Sequence, residues 1–223
     1  MQKIIIIGNA IAAEVLYGFL KSDKRYDVVA FCVDRQYITE QQVFSIQVIE
    51  LENLQERFST DEYKLIIGMG YNNINIDRAE MFDRVTLLGY EVETYIHPEA
   101  KVIGDNKIGK GCIILANSVI EPFVSIGNNS VVWSNCTVAH HAVIENNCWI
   151  ASGCVIAGEA KIKANCFLGV NSTVVNNVVV EEYNIVGANT LISKNTKTNE
   201  VYLARSGEKH RFPAKDYANF LGV

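Results

Sequence analysis

The chain has 223 residues, with 20 lysines and arginines against 25 aspartates and glutamates, so its formal charge is −5. That length suits two modest domains. The acidic balance argues against a nucleic-acid partner, which calls for a basic surface, and no apolar run reaches the length of a membrane span, so we expect a cytoplasmic protein that binds neither.

The first residues, M-Q-K-I-I-I-I-G-N-A-I-A-A, set Lys3 before an apolar core in the manner of a secretion leader. Gly8-Asn9 interrupts that run, and a strand followed by a helix accounts for it equally well. Strand-like runs at 3–7, 28–33 and 65–67 then alternate with helix-like stretches at 10–20, 51–58 and 76–88. The alternation predicts βαβ units around a parallel sheet over residues 1–97. Gly8 ends the first strand just before a helix, where a Rossmann-like loop holds phosphate against the helix N-terminus. Ala10 and Ala13 stand where the dinucleotide fingerprint has glycine.

After Pro98 the pattern changes. Every sixth residue from Val102 to Ile192 is aliphatic, sixteen in succession, and two positions before most of them sits a small side chain such as Cys112, Ser130, Ala142 or Cys154. A fixed short repeat of this kind marks a parallel β-solenoid, whose coils stack to bury one continuous core. Over residues 98–195 the pattern resembles the hexapeptide repeat of left-handed β-helix acyltransferases. The expected architecture is therefore an α/β Rossmann-like N-terminal domain (1–97), a left-handed parallel β-helix (98–195) and an unassigned C-terminal tail (196–223), for which capping the open end of the solenoid is one role.

With three hexads per coil, residues 18 apart stack about 4.8 Å from one another. That spacing gathers Asn117, Asn135, Gly153, Asn171 and Asn189 into one column of corners, where Asn and Gly tolerate left-handed backbone. Five of the six cysteines fall at the small inward position. Cys136 stacks with Cys154 and Cys148 with Cys166, but in a reducing compartment these read as buried free thiols. One outward face, with Ile113, Leu115, Val131, Trp133, Trp149, Ala151, Phe167 and Ile185, is apolar enough to be covered by something. The resemblance implies a homotrimer with active sites between neighbouring solenoids, and this stripe is the expected contact; coverage by the first domain or by the tail is the alternative.

His140 and His141 follow the aliphatic Val138 and lie at one corner. By position His141 is a turn residue. In the nucleotide-sugar N-acetyltransferases of this fold, the pattern V-x-H-[D/E] carries the general base, and V138-A139-H140-H141 matches it at His140 while lacking the acid that follows. Glu159, one coil beyond His141, is expected to supply that carboxylate. Gly158, one coil beyond His140, matches the position whose backbone N–H faces the thioester oxygen, and the resemblance sets Gly169, Gly187 and Ala188 against the coenzyme A as well. The small first domain of such enzymes holds the nucleotide-linked sugar, which implies contacts from Gly8, Asn9, Ala10, Asp34, Gly70 and Asn72.

The resemblance thus implies acetyl-CoA as co-substrate, a nucleotide-linked amino sugar of surface-glycan (lipopolysaccharide) biosynthesis as acceptor, His140 as base, and no metal. A sugar or sialic acid O-acetyltransferase using the same histidine remains an alternative, as does a non-catalytic trimeric scaffold. A γ-type carbonic anhydrase needs three histidines per metal site, and the repeats contain only two. A pyrophosphorylase would need a larger first domain with a basic glycine-rich loop.

Overall fold

The computed structural model describes residues 1–221. Strand β1 (Gln2–Ile7) leads into helix α1 (Ile11–Ser22), then β2 (Tyr26–Val33), β3 (Gln42–Val43), β4 (Ile46–Glu50), the short α2 (Leu54–Arg57), β5 (Tyr63–Ile67) and α3 (Ile76–Leu87). The sheet order is β3-β4-β2-β1-β5, parallel throughout except for the β3–β4 pair. The β1 run of four isoleucines is buried on both faces, as a central parallel strand requires. The β3–β4 hairpin is absent from the sequence reading. Its turn uses Phe44 and Ser45 at φ +50° and +65° instead of the Asn-Gly pair that usually announces such a turn.

Helix α1 lies close to the sheet because of two small residues. A Cβ added to Gly68 would sit 2.6 Å from Ile6 Cγ2 and 3.0 Å from Ala13 Cα, so Gly68 beneath Ala13 provides the close approach.

From Tyr95 the chain winds into triangular coils of two-residue strands. The first face runs from Lys101–Val102 to Leu191–Ile192, the second from Lys107–Ile108 to Val179–Val180, and the third from Tyr95–Ile96 to Val201–Tyr202. Pairing keeps the 18-residue register from coil to coil, as in Val131↔Trp149↔Phe167↔Ile185. The last third-face pair, Ile185↔Val201, is two residues shorter. The predicted aliphatic positions from Ile114 to Ile192 are buried inside, and the five solenoid cysteines beside them are free. Burial pushes the Cys112 thiol up to about 11 and the Cys166 thiol up to about 12.

Two expectations need correction. Coil strands run past both expected bounds, starting at Tyr95–Ile96 and ending at Val201–Tyr202, so 196–203 belongs with the solenoid. Tyr202 packs on the coil core, whereas Ala214–Leu221 forms a helix (α4) with no buried residue.

The apolar third face is the second correction. Ile113, Leu115, Val131, Trp149 and Ala151 share one buried cluster with Ala13, Leu16, Phe31 and Ile66 of the N-terminal sheet, so the chain covers this stripe itself. Each fully buried aliphatic or aromatic side chain there contributes about 1.5–3 kcal/mol. Polar ties cross the same seam. Arg78, 1% exposed, donates to the backbone oxygens of Ile67 (2.6 Å), Met69 (3.1 Å) and Asn129 (3.4 Å), and Asn75 donates to Cys166 O (3.2 Å). With only carbonyls for partners, burial pulls the Arg78 guanidinium down to about 9. No helix among the described residues is long and apolar enough to cross a membrane.

Gly68→Ala should destabilise the protein by about 1–3 kcal/mol through overpacking between β1 and α1, read as a lower urea midpoint at unchanged slope.

Candidate active site

Each coil turns through a residue in left-handed backbone. Two of the three corner columns keep almost strictly to Asn or Gly: Asn117, Asn135, Gly153, Asn171 and Asn189 in one, and Gly111, Asn129, Asn147, Asn165 and then Tyr183 in the other. The column between the first and second faces departs from this with Phe123, His141 and Glu159, at φ +67°, +60° and +61°. An ordinary side chain in that conformation costs about 1–2 kcal/mol, so this column carries strain that the other two largely avoid.

His140 and His141 lie at this corner. His140 N–H donates to Glu121 Oε2 (2.9 Å), His140 O accepts from Glu159 N–H (3.0 Å), and His141 N–H donates to Pro122 O (3.2 Å). The coils before and after thus hold the backbone of the pair. The two Nδ1 atoms are 3.2 Å apart, with ring planes at 82°, and the His141 ring rests on Phe123 at 4.9 Å between centroids.

Gly158 is where the spacing put it, one coil beyond His140. A Cβ on Gly158 would meet His140 Cε1 at 2.7 Å, His140 Nε2 at 2.8 Å and Asn176 Nδ2 at 3.3 Å. The Cε1–Nε2 edge of His140 therefore lies directly over a bare glycine. The Gly158 N–H has no hydrogen-bond acceptor among the described residues, and its carbonyl accepts from Asn177 N–H (3.1 Å).

The expected pairing of Glu159 with His141 is not formed. Glu159 is exposed and hydrogen-bonds neither ring, because its left-handed corner geometry does not bring the carboxylate back to the imidazole. Glu121, Phe123 and Asn176, which do touch the pair or its glycine, were not singled out from the sequence. The 18-residue spacing was enough to find Phe123 below His141 and Asn176 above Gly158.

Gly169, Gly187 and Ala188 lie elsewhere, at the corner between the third and first faces. A Cβ on Gly169 would stand 2.7 Å from Ala188 N and 2.8 Å from Gly187 C, so these residues let successive coils pack closely, with Ala188 exposed beside them. Within one chain the first face separates them from His140.

The N-terminal candidates converge. The C-terminal ends of β1, β2 and β5 are adjacent, which brings Gly8, Asn9, Ala10, Asp34 and Gly70 to one edge of the sheet, the usual place for ligands in such sheets. Gly8 has φ +115° and stands against Gly68 O, Asn9 Nδ2 donates to Tyr37 O (3.0 Å), and Ala10 begins α1 without a side-chain cap. The first N–H groups of α1 therefore have no side-chain partner from the cap. Asp34 is engaged by Arg84 in two hydrogen bonds of 2.6 and 3.0 Å. Asn72 is exposed in the next loop, whose left-handed turn at 73–75 accompanies Tyr71 packed on Trp149 and Phe167.

A family model described as the GMPPB C-terminal domain matches residues 73–202. No curated protein sequence matches the chain. Among solved structures, the acetyltransferase domain of PglB from Neisseria gonorrhoeae is similar at 21% identity and a TM-score of 0.81, covering 90% of this chain and 96% of that one. A perosamine N-acetyltransferase from Caulobacter crescentus, solved as a histidine-to-asparagine variant with CoA and GDP-perosamine, is 20% identical with a TM-score of 0.82, covering 89% and 92%. WeeI from Acinetobacter baumannii is 14% identical with a TM-score of 0.77, covering 89% and 94%. At these identities the likeness fixes the fold, a left-handed β-helix of hexapeptide coils.

Gly158→Ala should leave stability within about 1 kcal/mol, since the exposed imidazole can swing away, while the His140 ring signals in an NMR spectrum move.

Proposed function

We propose, given that the chain belongs to the family of the GMPPB C-terminal domain through residues 73–202, that it is an acyl-CoA-dependent N-acyltransferase. Its acceptor in this reading is the amino group of a nucleotide-linked amino-deoxy sugar of surface-glycan biosynthesis, with acetyl-CoA as donor. The observation that carries the reading is the Nε2 edge of His140 lying over the bare Gly158. The reading takes His140 as the base on one side of the thioester carbonyl and the unpaired Gly158 N–H as the donor on the other.

His140 Nε2 takes the proton from the attacking amine as the N–C bond forms. The Gly158 N–H donates to the carbonyl oxygen as negative charge gathers there. The C–S bond then breaks and the proton on Nε2 goes to the departing thiolate. The solved relatives support the donor and acceptor classes: one is described with acetyl-CoA, another with CoA and GDP-perosamine.

The sheet edge around Gly8, Asn9 and Ala10 is the proposed nucleotide site, a Rossmann-like cradle in which the uncapped start of α1 faces phosphate. With Asp34 held by Arg84, the exposed guanidinium of Arg84 also stands near that edge.

The covering of the third face favours an assembly through the first face instead. The outward residues of the first face are Lys101, Val119, Thr137, Val155, Thr173 and Leu191, with Val155 39% and Leu191 61% exposed. A homotrimer packed through this face would bring Gly169, Gly187 and Ala188 of one copy toward His140 of the next, so that the coenzyme A lies between copies.

His140→Ala should lower kcat by about 10²–10⁴-fold, the usual worth of a positioned base. The check is thiol release from acetyl-CoA with a panel of UDP-, dTDP- and GDP-linked 4-amino-4,6-dideoxy sugars; full activity in the variant rules out this base. Val155→Arg should yield a folded protein that sediments as a monomer, because it sets like charges against each other in the contact.

A further inference from the structure

We infer that His141 is a positioning residue. Its Nδ1 accepts a hydrogen bond from His140 Nδ1–H and so holds His140 in the tautomer with a free Nε2, an arrangement that one added proton on His141 abolishes. The inference rests on the reading of His140 as the base.

Two imidazole nitrogens 3.2 Å apart attract only when one carries a hydrogen and the other does not. The role of His140 chooses which, because a base that takes a proton at Nε2 must carry none there. The ring proton of His140 is then on Nδ1, which makes His141 Nδ1 the acceptor and places the His141 proton on its own Nε2. The Phe123 ring and the Pro122 carbonyl keep His141 in place for this.

The charged side chains at this corner are Asp105 and Glu121 on the coils before it and Glu159 and Lys161 on the coil after it. None of them hydrogen-bonds either ring among the described residues, and Glu121 Oε2 is taken by the His140 backbone N–H. No carboxylate therefore stands in for His141.

The consequence is a site that loses its base by titrating either ring. A proton added to His141 Nδ1 puts hydrogens on both facing nitrogens. To restore the contact His140 must accept at Nδ1 and carry its own proton on Nε2, and the lone pair needed by the amine is gone.

The fold supplies the test. Asn occupies most of these corners and adopts φ near +60° without strain, and its Oδ1 is an acceptor at every pH. His141→Ala should lower kcat/KM by about tenfold or more, and His141→Asn should recover most of that loss. The acid limb of kcat/KM should lie at lower pH in His141→Asn than in the parent, because one of the two protonations that remove the base is gone. Identical limbs in the parent and His141→Asn, or full activity in His141→Ala, would overturn the inference.

Nitrogen-15 NMR of the histidine rings in the full chain reads the tautomers without turnover. A bare Nε2 on His140 is expected, and a protonated Nε2 with a bare Nδ1 overturns the inference. The expected tautomer in a protein that acylates no amino sugar supports the positioning and sinks only the functional reading.

Discussion

The backbone ladder between coils is the constraint on which the rest of this molecule depends. Two-residue strands pair with the strand 18 residues on, the last third-face pair excepted, and between most of them the chain turns through left-handed backbone at a corner. The interior then admits an aliphatic side chain and a small one per hexad, and the corner favours Asn or Gly. Freedom remains only outside and at the corners. Side chains that violate the corner preference are therefore informative, and three of the four in the solenoid, Phe123, His141 and Glu159, stack in the column that holds the histidine pair.

The N-terminal sheet answers a different requirement. A triangular solenoid has three outward faces, and here the third is too apolar to be left to water. Ala13, Leu16 and Ile66 bury it, while Arg78 and Asn75 join the α3 end of the sheet domain to backbone on the coils. This leaves the first face, with Val155 and Leu191, exposed. It also leaves the two sets of corner residues, His140 with Gly158 and Gly169 with Ala188, on opposite edges of that face.

Much of this was legible from spacing. The period of six, the 18-residue stacking, the inward cysteines and the placing of His140 against Gly158 all follow from one repeat that tolerates no insertion. The sheet ends carrying Gly8 and Gly70 follow from strand–helix alternation. The reading failed where the repeat carries no information. It missed the β3–β4 hairpin because Phe44 and Ser45 are not turn formers. It assigned Glu159 to His141 because stacking fixes where a Cα lies, not where a side chain points. The Asp34–Arg84 pair joins residues fifty positions apart with no shared period.

The sequence by itself determined the coil, its register, its buried thiols and the adjacency of His140 to Gly158, because a periodic ladder converts residue number directly into position. Only the tertiary structure decided what covers each face, which partner meets the imidazole of His140, and which glycines share a site. Those depend on how two unlike units pack and on the torsions of single side chains, and no periodicity in the chain encodes either.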